Sequence, residues 1–123
     1  MDFRDLLAYK KGFQLAMNIY EISKGFPSEE KYSLIDQIRR SSRFTCANIG
    51  EGYRKRRYPS HFISKLSDAD MENTETQVWV EFSFACGYIS ESTKTVWEHD
   101  SLEIGKLIGY MIANPEKFGS KST

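Results

Sequence analysis

The sequence predicts an all-α protein, an antiparallel up-and-down four-helix bundle. In four segments, apolar side chains recur at steps of three and four residues, which places them on one face of a helix. Only three prolines occur, Pro27, Pro59 and Pro115, and each falls at a junction between segments. No stretch alternates apolar and polar residues as a half-buried strand would, and no internal repeat is visible. Amphipathic helices joined by short links pack as antiparallel neighbours.

The first helix is expected over residues 5–24, with Leu6, Tyr9, Phe13, Ala16, Met17 and Tyr20 as its stripe. Gly25 ends it, and Phe26-Pro27 forms an extended link. Ser28 is placed to cap a second helix, with Glu29 and Glu30 in a first turn where the macrodipole favours acids. That helix is expected to continue as one rod over residues 29–53. The stretch 54–60 interrupts the pattern, with Pro59 as the breaker and Ser60 as a new cap.

The third helix is expected over residues 61–86, with Gly87 as its stop. Phe62, Leu66, Ala69, Asn73, Val80 and Phe84 share one side. Met71, Val78, Phe82 and Cys86 share another, with Trp79 near them. A helix apolar on two sides needs cover on both, and a partner subunit is one source of it. The fourth helix is expected over residues 93–113, capped by Ser92, with Trp97, Ile104, Leu107, Ile108 and Met111 as its stripe. Asn114-Pro115 ends it and Phe118 folds back. Residues 1–118 then make one domain, and residues 119–123 a disordered tail.

A chain of 123 residues can bury a core without disulfides or a metal. No run approaches the roughly 20 apolar residues of a membrane span, and no basic region leads into an apolar one at the start. A cytoplasmic protein with no membrane partner is expected, with Cys46 and Cys86 as buried free thiols. Formal net charge is zero, which argues against a broad polyanion-binding field. The distribution is uneven, however. Between Arg39 and Arg57 stand seven basic side chains against one acid, Glu51, a net of +6, leaving ten basic and sixteen acidic side chains elsewhere. Such segregation suits self-association as well as a polyanion.

Projecting the second helix at about 100° per residue separates three stripes. Ile35, Ile38, Ser42, Thr45, Cys46, Ile49 and Tyr53 form the core face. Gln37, Arg40, Phe44, Asn48 and Glu51 form a second stripe, roughly opposite. It is either a solvated face with an incidental Phe or a polar stripe buried in a helix or subunit contact, and these five residues are the candidate oligomer interface. Arg39, Arg43, Ala47, Gly50 and Arg54 form a third, extended by Lys55, Arg56 and Arg57. Guanidinium groups match phosphates bidentately, so Arg39, Arg43, Arg54, Lys55, Arg56 and Arg57 are the candidate nucleic-acid contacts. The other reading is that they are solvated or paired with acids of another subunit. Tyr53 and Tyr58 flank the run and offer rings for base stacking.

There is no glycine-rich phosphate loop before a helix and no His-Glu-x-x-His. His61 and His99 have no evident ligand partners in sequence, and Glu51 has no second acid or His beside it. No catalytic residue, metal or cofactor is assigned. The acids Asp68, Asp70, Glu72 and Glu75 lack the Glu-x-x-His pairs of bundle metal sites.

Several stretches together resemble the bacterial four-helix-bundle family that includes proteins encoded in intervening sequences of large-subunit ribosomal RNA genes. They are Phe3-Arg-Asp-Leu6, Phe26-Pro-Ser-Glu-Glu30, Gln37-Ile-Arg-Arg40 continuing into Ala47-Asn-Ile-Gly-Glu-Gly52, and Phe62-Ile-Ser-Lys-Leu66 leading to Ala69 and Glu75. Asn114-Pro-Glu-Lys-Phe118 is similar to an ending found in some members. One departure is Met71-Glu72, where many members carry Gly-Ser. The resemblance implies a homo-oligomer, often a pentameric ring of bundles, with no settled activity. It extends to the accessory variability proteins of diversity-generating retroelements, which bind nucleic acid and a reverse transcriptase. Those proteins are strongly basic, whereas this chain is neutral. The expected function is therefore a non-enzymatic, homo-oligomeric interaction protein, with RNA or DNA binding through the basic patch as the alternative.

Overall fold

A computed structural model describes residues 1–121. Four helices account for most of the chain: α1 Leu7–Ser23, α2 Leu34–Arg54, α3 Pro59–Ala85 and α4 Glu91–Ala113. Short 3-10 turns precede α1 (Phe3–Asp5), precede α2 (Ser28–Glu30) and follow α4 (Pro115–Phe118). No strand occurs among the described residues.

Each helix boundary has a local cause. Asp2 and Asp5 cap the first 3-10 turn reciprocally: Asp2 Oδ1 accepts from Arg4 N and Asp5 Oδ2 accepts from Asp2 N, both at 2.9 Å. Leu6 is then extended, and α1 begins at Leu7. The expected rod over residues 29–53 is broken at its start. Ser28–Glu30 is a separate 3-10 turn, residues 31–33 turn again, and the helix begins only at Leu34. Glu30 stands before the helix and accepts from Ser33 Oγ, from Leu34 N at 3.5 Å and from Tyr88 Oη at 2.8 Å. Ser28 therefore does not cap the long helix.

Pro59 is the first residue of α3 rather than a breaker before it. Its missing N–H is no loss at that position, and its fixed φ suits the helical turn. The C-terminus of α3 closes as a Schellman motif. Gly87 adopts φ +78°, its N–H bonds Phe84 O at 2.9 Å, and Tyr88 N–H bonds Ser83 O at 2.9 Å. Ser90, not Ser92, caps α4 by accepting from Thr93 N at 3.1 Å. Phe118 folds back against the core, and Ser120 is buried with its N–H on Pro115 O at 3.0 Å. Ser120, in the stretch expected as a tail, thus packs against the bundle's end, and residues 122–123 lie outside the described residues.

Side-chain pairs fix the direction of every neighbouring helix. Ser41 meets Thr76 and Glu51 meets Lys65, so α2 and α3 run antiparallel. Asn73 meets Ser101 while Lys94 sits over Phe84, so α3 and α4 do too. Lys11 pairs with Glu103 and Asn18 with Trp97, which sets α1 against α4. Arg39 reaches Tyr20 and Ser23, while an added Cβ at Gly50 would touch the Phe3 ring, which sets α1 against α2. The helices thus stand in the cyclic order α1, α2, α3, α4, with α1 and α3 on a diagonal.

Phe62, Leu66, Trp97, Ile19, Ile38, Ile49, Ile104 and Ile108 fill the centre. A polar layer crosses it and is satisfied internally. Thr76 Oγ1 donates to Ser41 Oγ at 2.8 Å, Asn73 Nδ2 to Ser101 O at 2.8 Å, and Ser101 Oγ to Asn73 Oδ1 at 3.0 Å. Buried groups paired this way cost little and fix which helices face each other. The small residues of α2 serve close packing: a Cβ on Gly52 would lie 3.2 Å from Lys65 Cβ.

The α2 and α4 stripes fall inside as expected, apart from Leu107, which is half-buried at the edge of the core. The α1 stripe does so only in part: Leu6 and Ala16 are buried and Tyr9 and Tyr20 are half-buried. Its core residues are Ala8, Gly12, Leu15, Ala16, Ile19 and Ser23, while Phe13 and Met17 are 51% and 44% exposed. α1 carries two adjacent apolar stripes, and the slimmer one faces the bundle because Gly12 lies against Cys46, where an added Cβ would sit 3.1 Å from Sγ. On α3, Phe84 is turned outward under Lys94 Nζ, 5.1 Å from its ring centroid.

Candidate interaction surfaces

α2 presents two outer flanks, one bordering α3 and one bordering α1. The stripe Gln37, Arg40, Phe44, Asn48 and Glu51 lies along the α3 flank, not diametrically opposite the core. Lys65 Nζ on α3 reaches Glu51 Oε1 at 3.3 Å. Asn48 Nδ2 donates back to Phe44 O at 3.0 Å. Arg40 Cζ stands 5.3 Å over the Phe44 ring, and both side chains are exposed while Gln37 is half-buried. Across the flank, burial pushes the Glu72 carboxyl above its ordinary range, Glu75 and Asp68 add to this, and Arg40 partly opposes it. Arg40 and Phe44 are therefore the outward-facing centre of this stripe.

The basic residues divide into two kinds. Arg39 belongs to the fold: Nε donates to Ser23 Oγ at 2.8 Å and Nη2 to Tyr20 O at 3.3 Å, with the guanidinium 4.8 Å over the Tyr20 ring. Arg56 caps the end of α2, donating from Nη1 to Tyr53 O at 2.9 Å and lying 4.1 Å over the Tyr53 ring. Arg43, Arg54, Lys55 and Arg57 are exposed. Among the described residues, none of the seven cations from Arg39 to Arg57 has a carboxylate within 4.0 Å. Arg54, Arg56 and Arg57 line a depression of about 480 Å³ with Gly119 and Lys121. Tyr58 is exposed beside this run, whereas Tyr53 is buried beneath Arg56 and offers no free ring face.

An apolar groove of about 480 Å³ runs between α1 and α2, lined chiefly by Phe3, Tyr9, Phe13, Met17, Ala47 and Gly50, with Arg43 and Glu51 at its rim. Phe3 meets Tyr9 edge-on at 5.0 Å, and Tyr9 stacks on Phe13 at 6.0 Å. The gap that Gly50 leaves is filled by Phe3. The groove was not foreseen, although its signal was present: Tyr9, Phe13 and Met17 at four-residue steps, read as core. Cys46 borders it, its thiol pushed up to about 12 by burial and so chemically quiet. Cys86 is exposed, contrary to the expected burial, because it falls at the C-cap on the outer side of α3.

The outer side of α3 carries a second apolar surface. Met71, Val78 and Phe82 are 69%, 43% and 53% exposed, and the Phe82 ring leans on Trp79 at 5.8 Å. Val78 and Leu102 share a shallow depression with Glu81 and Glu98. On α4, His99, Asp100 and Glu103 bring ligand atoms within 4.8 Å of one another, a four-residue His-to-Glu spacing overlooked in the sequence. Glu103 is already taken by Lys11 at 3.0 Å, which with His99 holds its carboxyl below the ordinary range. No helix among the described residues is long and apolar enough to cross a membrane.

Comparison with known proteins agrees with this architecture. A solved structure of a protein of unknown function from the S23 ribosomal protein family of Bacteroides thetaiotaomicron superposes with a TM-score of 0.78. It is 30% identical, and the match covers 89% of this chain and 98% of that one. No curated protein matches the sequence. The family model described as 23S rRNA-intervening sequence protein matches residues 4–110, nearly the whole bundle, and the chain belongs to that family.

Proposed function

We propose that the chain is a non-enzymatic interaction protein that works as a homo-oligomer of four-helix bundles, with five copies the favoured stoichiometry. The observation that carries this reading is the apolar surface left outside a well-filled core. Phe13 and Met17 project on one side of the bundle, and Met71, Val78 and Phe82 on another. Contiguous apolar surface of this kind marks association sites on small domains. Light scattering at low micromolar concentration tests the reading. A stable multiple of 14.3 kDa is expected, and a monomer would overturn it.

A second reading, compatible with the first, is RNA or DNA binding. It is favoured by the cluster Arg54, Lys55 and Arg57, which has no carboxylate within 4.0 Å among the described residues, with Arg56 and Tyr58 beside it. The family's description names 23S rRNA, which makes structured ribosomal RNA the first probe. Affinity should fall steeply with salt as counterions are released. Binding that persists unchanged in Arg54/Arg56/Arg57→Ala would remove the patch from the account.

A further inference from the structure

We propose that the α1/α2 groove of one copy receives the outer ridge of α3 from the next, so that assembly is heterologous and every copy uses two different faces. This rests on the homo-oligomeric reading and names the surfaces that meet. The two faces cannot be one patch, because α1 and α3 stand on a diagonal of the bundle. Their shapes are complementary. The groove is a concave apolar trough of about 480 Å³. Met71, Val78 and Phe82, spaced seven and four residues apart, form one projecting row on α3. Rows of side chains on one helix seat in the furrow between others.

Charge selects the same pairing. The groove lies beside the arginine flank of α2, with Arg43 and Glu51 on its rim; Glu51 is paired with Lys65 at 3.3 Å, whereas Arg43 has no carboxylate within 4.0 Å among the described residues. The ridge lies on the acidic half of the molecule: α3 and α4 together carry nine acids and three lysines. Glu81, beside Val78, has no cation within 4.0 Å among the described residues. Joining groove to groove across a two-fold axis would bring the two arginine flanks, with their unpaired Arg43 side chains, together. Joining ridge to ridge would bring two acidic ones together. Like charges facing each other across an interface are strongly disfavoured. Groove to ridge matches apolar with apolar and cation with anion. A contact of that type closes into a ring or propagates as a filament, and it leaves neither apolar face in water.

Two variants separate this arrangement from the alternatives. Met17→Glu/Ala47→Glu blocks the groove, and Val78→Glu/Phe82→Glu blocks the ridge. All four positions are exposed, so the fold should survive, and circular dichroism melts verify it. Each variant alone should be monomeric by light scattering. Mixed in equal amounts they should give a 1:1 dimer and nothing larger, because only one intact groove and one intact ridge remain. If either variant assembles like the unmodified chain, or the mixture stays monomeric, the pairing is wrong although the chain is an oligomer. If the unmodified chain is itself a monomer, the homo-oligomeric reading falls with it. Should a blocked variant fail to fold, single cysteines in a Cys86→Ser background provide a second measurement with a short bismaleimide. Met17→Cys chains mixed with Val78→Cys chains should cross-link to each other. Cross-linking only between identical chains would overturn the proposal.

Discussion

Tyr88 donates its hydroxyl to Glu30 at 2.8 Å, joining the link between α3 and α4 to the turn that precedes α2. Glu30 thereby gathers donors from Ser33, Tyr88 and Leu34, and these hold its carboxyl below the ordinary value of 4.5. The same bond pushes the Tyr88 hydroxyl up to about 12. For Glu30, with its folded value depressed, the stabilisation is complete above the unfolded value and lost as pH falls through the folded one. For Tyr88, with its folded value raised, the stabilisation is complete below 10.0 and lost as pH rises toward about 12. Tyr88→Phe should lower the melting temperature across the neutral range. The gap between the two proteins should narrow below about pH 4 and again above about pH 10. A gap independent of pH would mean that ring packing on Phe26, not the hydrogen bond, is what the hydroxyl supports.

Ser101 makes three hydrogen bonds to two partners: its hydroxyl donates to Asn73 Oδ1 and accepts from Gln77 Nε2, and its carbonyl accepts from Asn73 Nδ2. Ser101→Ala removes the hydroxyl and takes this partner from Asn73 Oδ1 and Gln77 Nε2, while the bond from Asn73 Nδ2 to the backbone carbonyl remains. A loss of about 1–3 kcal/mol in urea unfolding is expected, the penalty for buried polar groups left unpaired. A change below about 0.5 kcal/mol would show that Asn73 and Gln77 find other partners.

Arg39 and Arg57 were indistinguishable as members of one basic stretch, yet the fold treats them differently. Arg39→Ala should destabilise the chain by about 1–2 kcal/mol, because it removes the donors to Ser23 and Tyr20 and the stacking on the Tyr20 ring. Arg57→Ala should leave stability within about 0.5 kcal/mol. If RNA binds, it should respond to Arg57→Ala, whereas any effect of Arg39→Ala should follow its loss of stability.

Phe44 is the one large apolar side chain on the α3 flank of α2, with Arg40 over its ring. Its exposure means that Phe44→Ala should hardly change the melting temperature of the bundle. If this stripe takes part in assembly, Phe44→Ala and Arg40→Ala should each weaken it at least tenfold, the scale of an interface hot spot. Unchanged assembly by light scattering would assign the stripe to solvent.

Within each helix, the repeat of apolar residues was enough to give four helices, the inward face of α2, and the row from Trp97 to Met111 on α4. Those features are local, since a stripe needs only its own spacing. The cationic run from Arg39 to Arg57 and the family likeness were equally legible, because both are written in consecutive residues.

Tertiary structure decided what depends on distant partners. α1 offers two apolar stripes, and only its fit against α2, where Gly12 meets Cys46, sends Leu15 and Ile19 inward and leaves Phe13 and Met17 outside. α2 starts at Leu34, and the Glu30 that precedes it is engaged by Tyr88, 58 residues away, as well as by its neighbours Ser33 and Leu34. Arg39 became part of the fold while Arg54 stayed exposed, because Ser23 and Tyr20 lie beside one and not the other. Periodicity fixes how a helix divides into faces. Which face is buried depends on how each helix rotates about its axis, and that rotation is set by neighbours the local sequence does not contain.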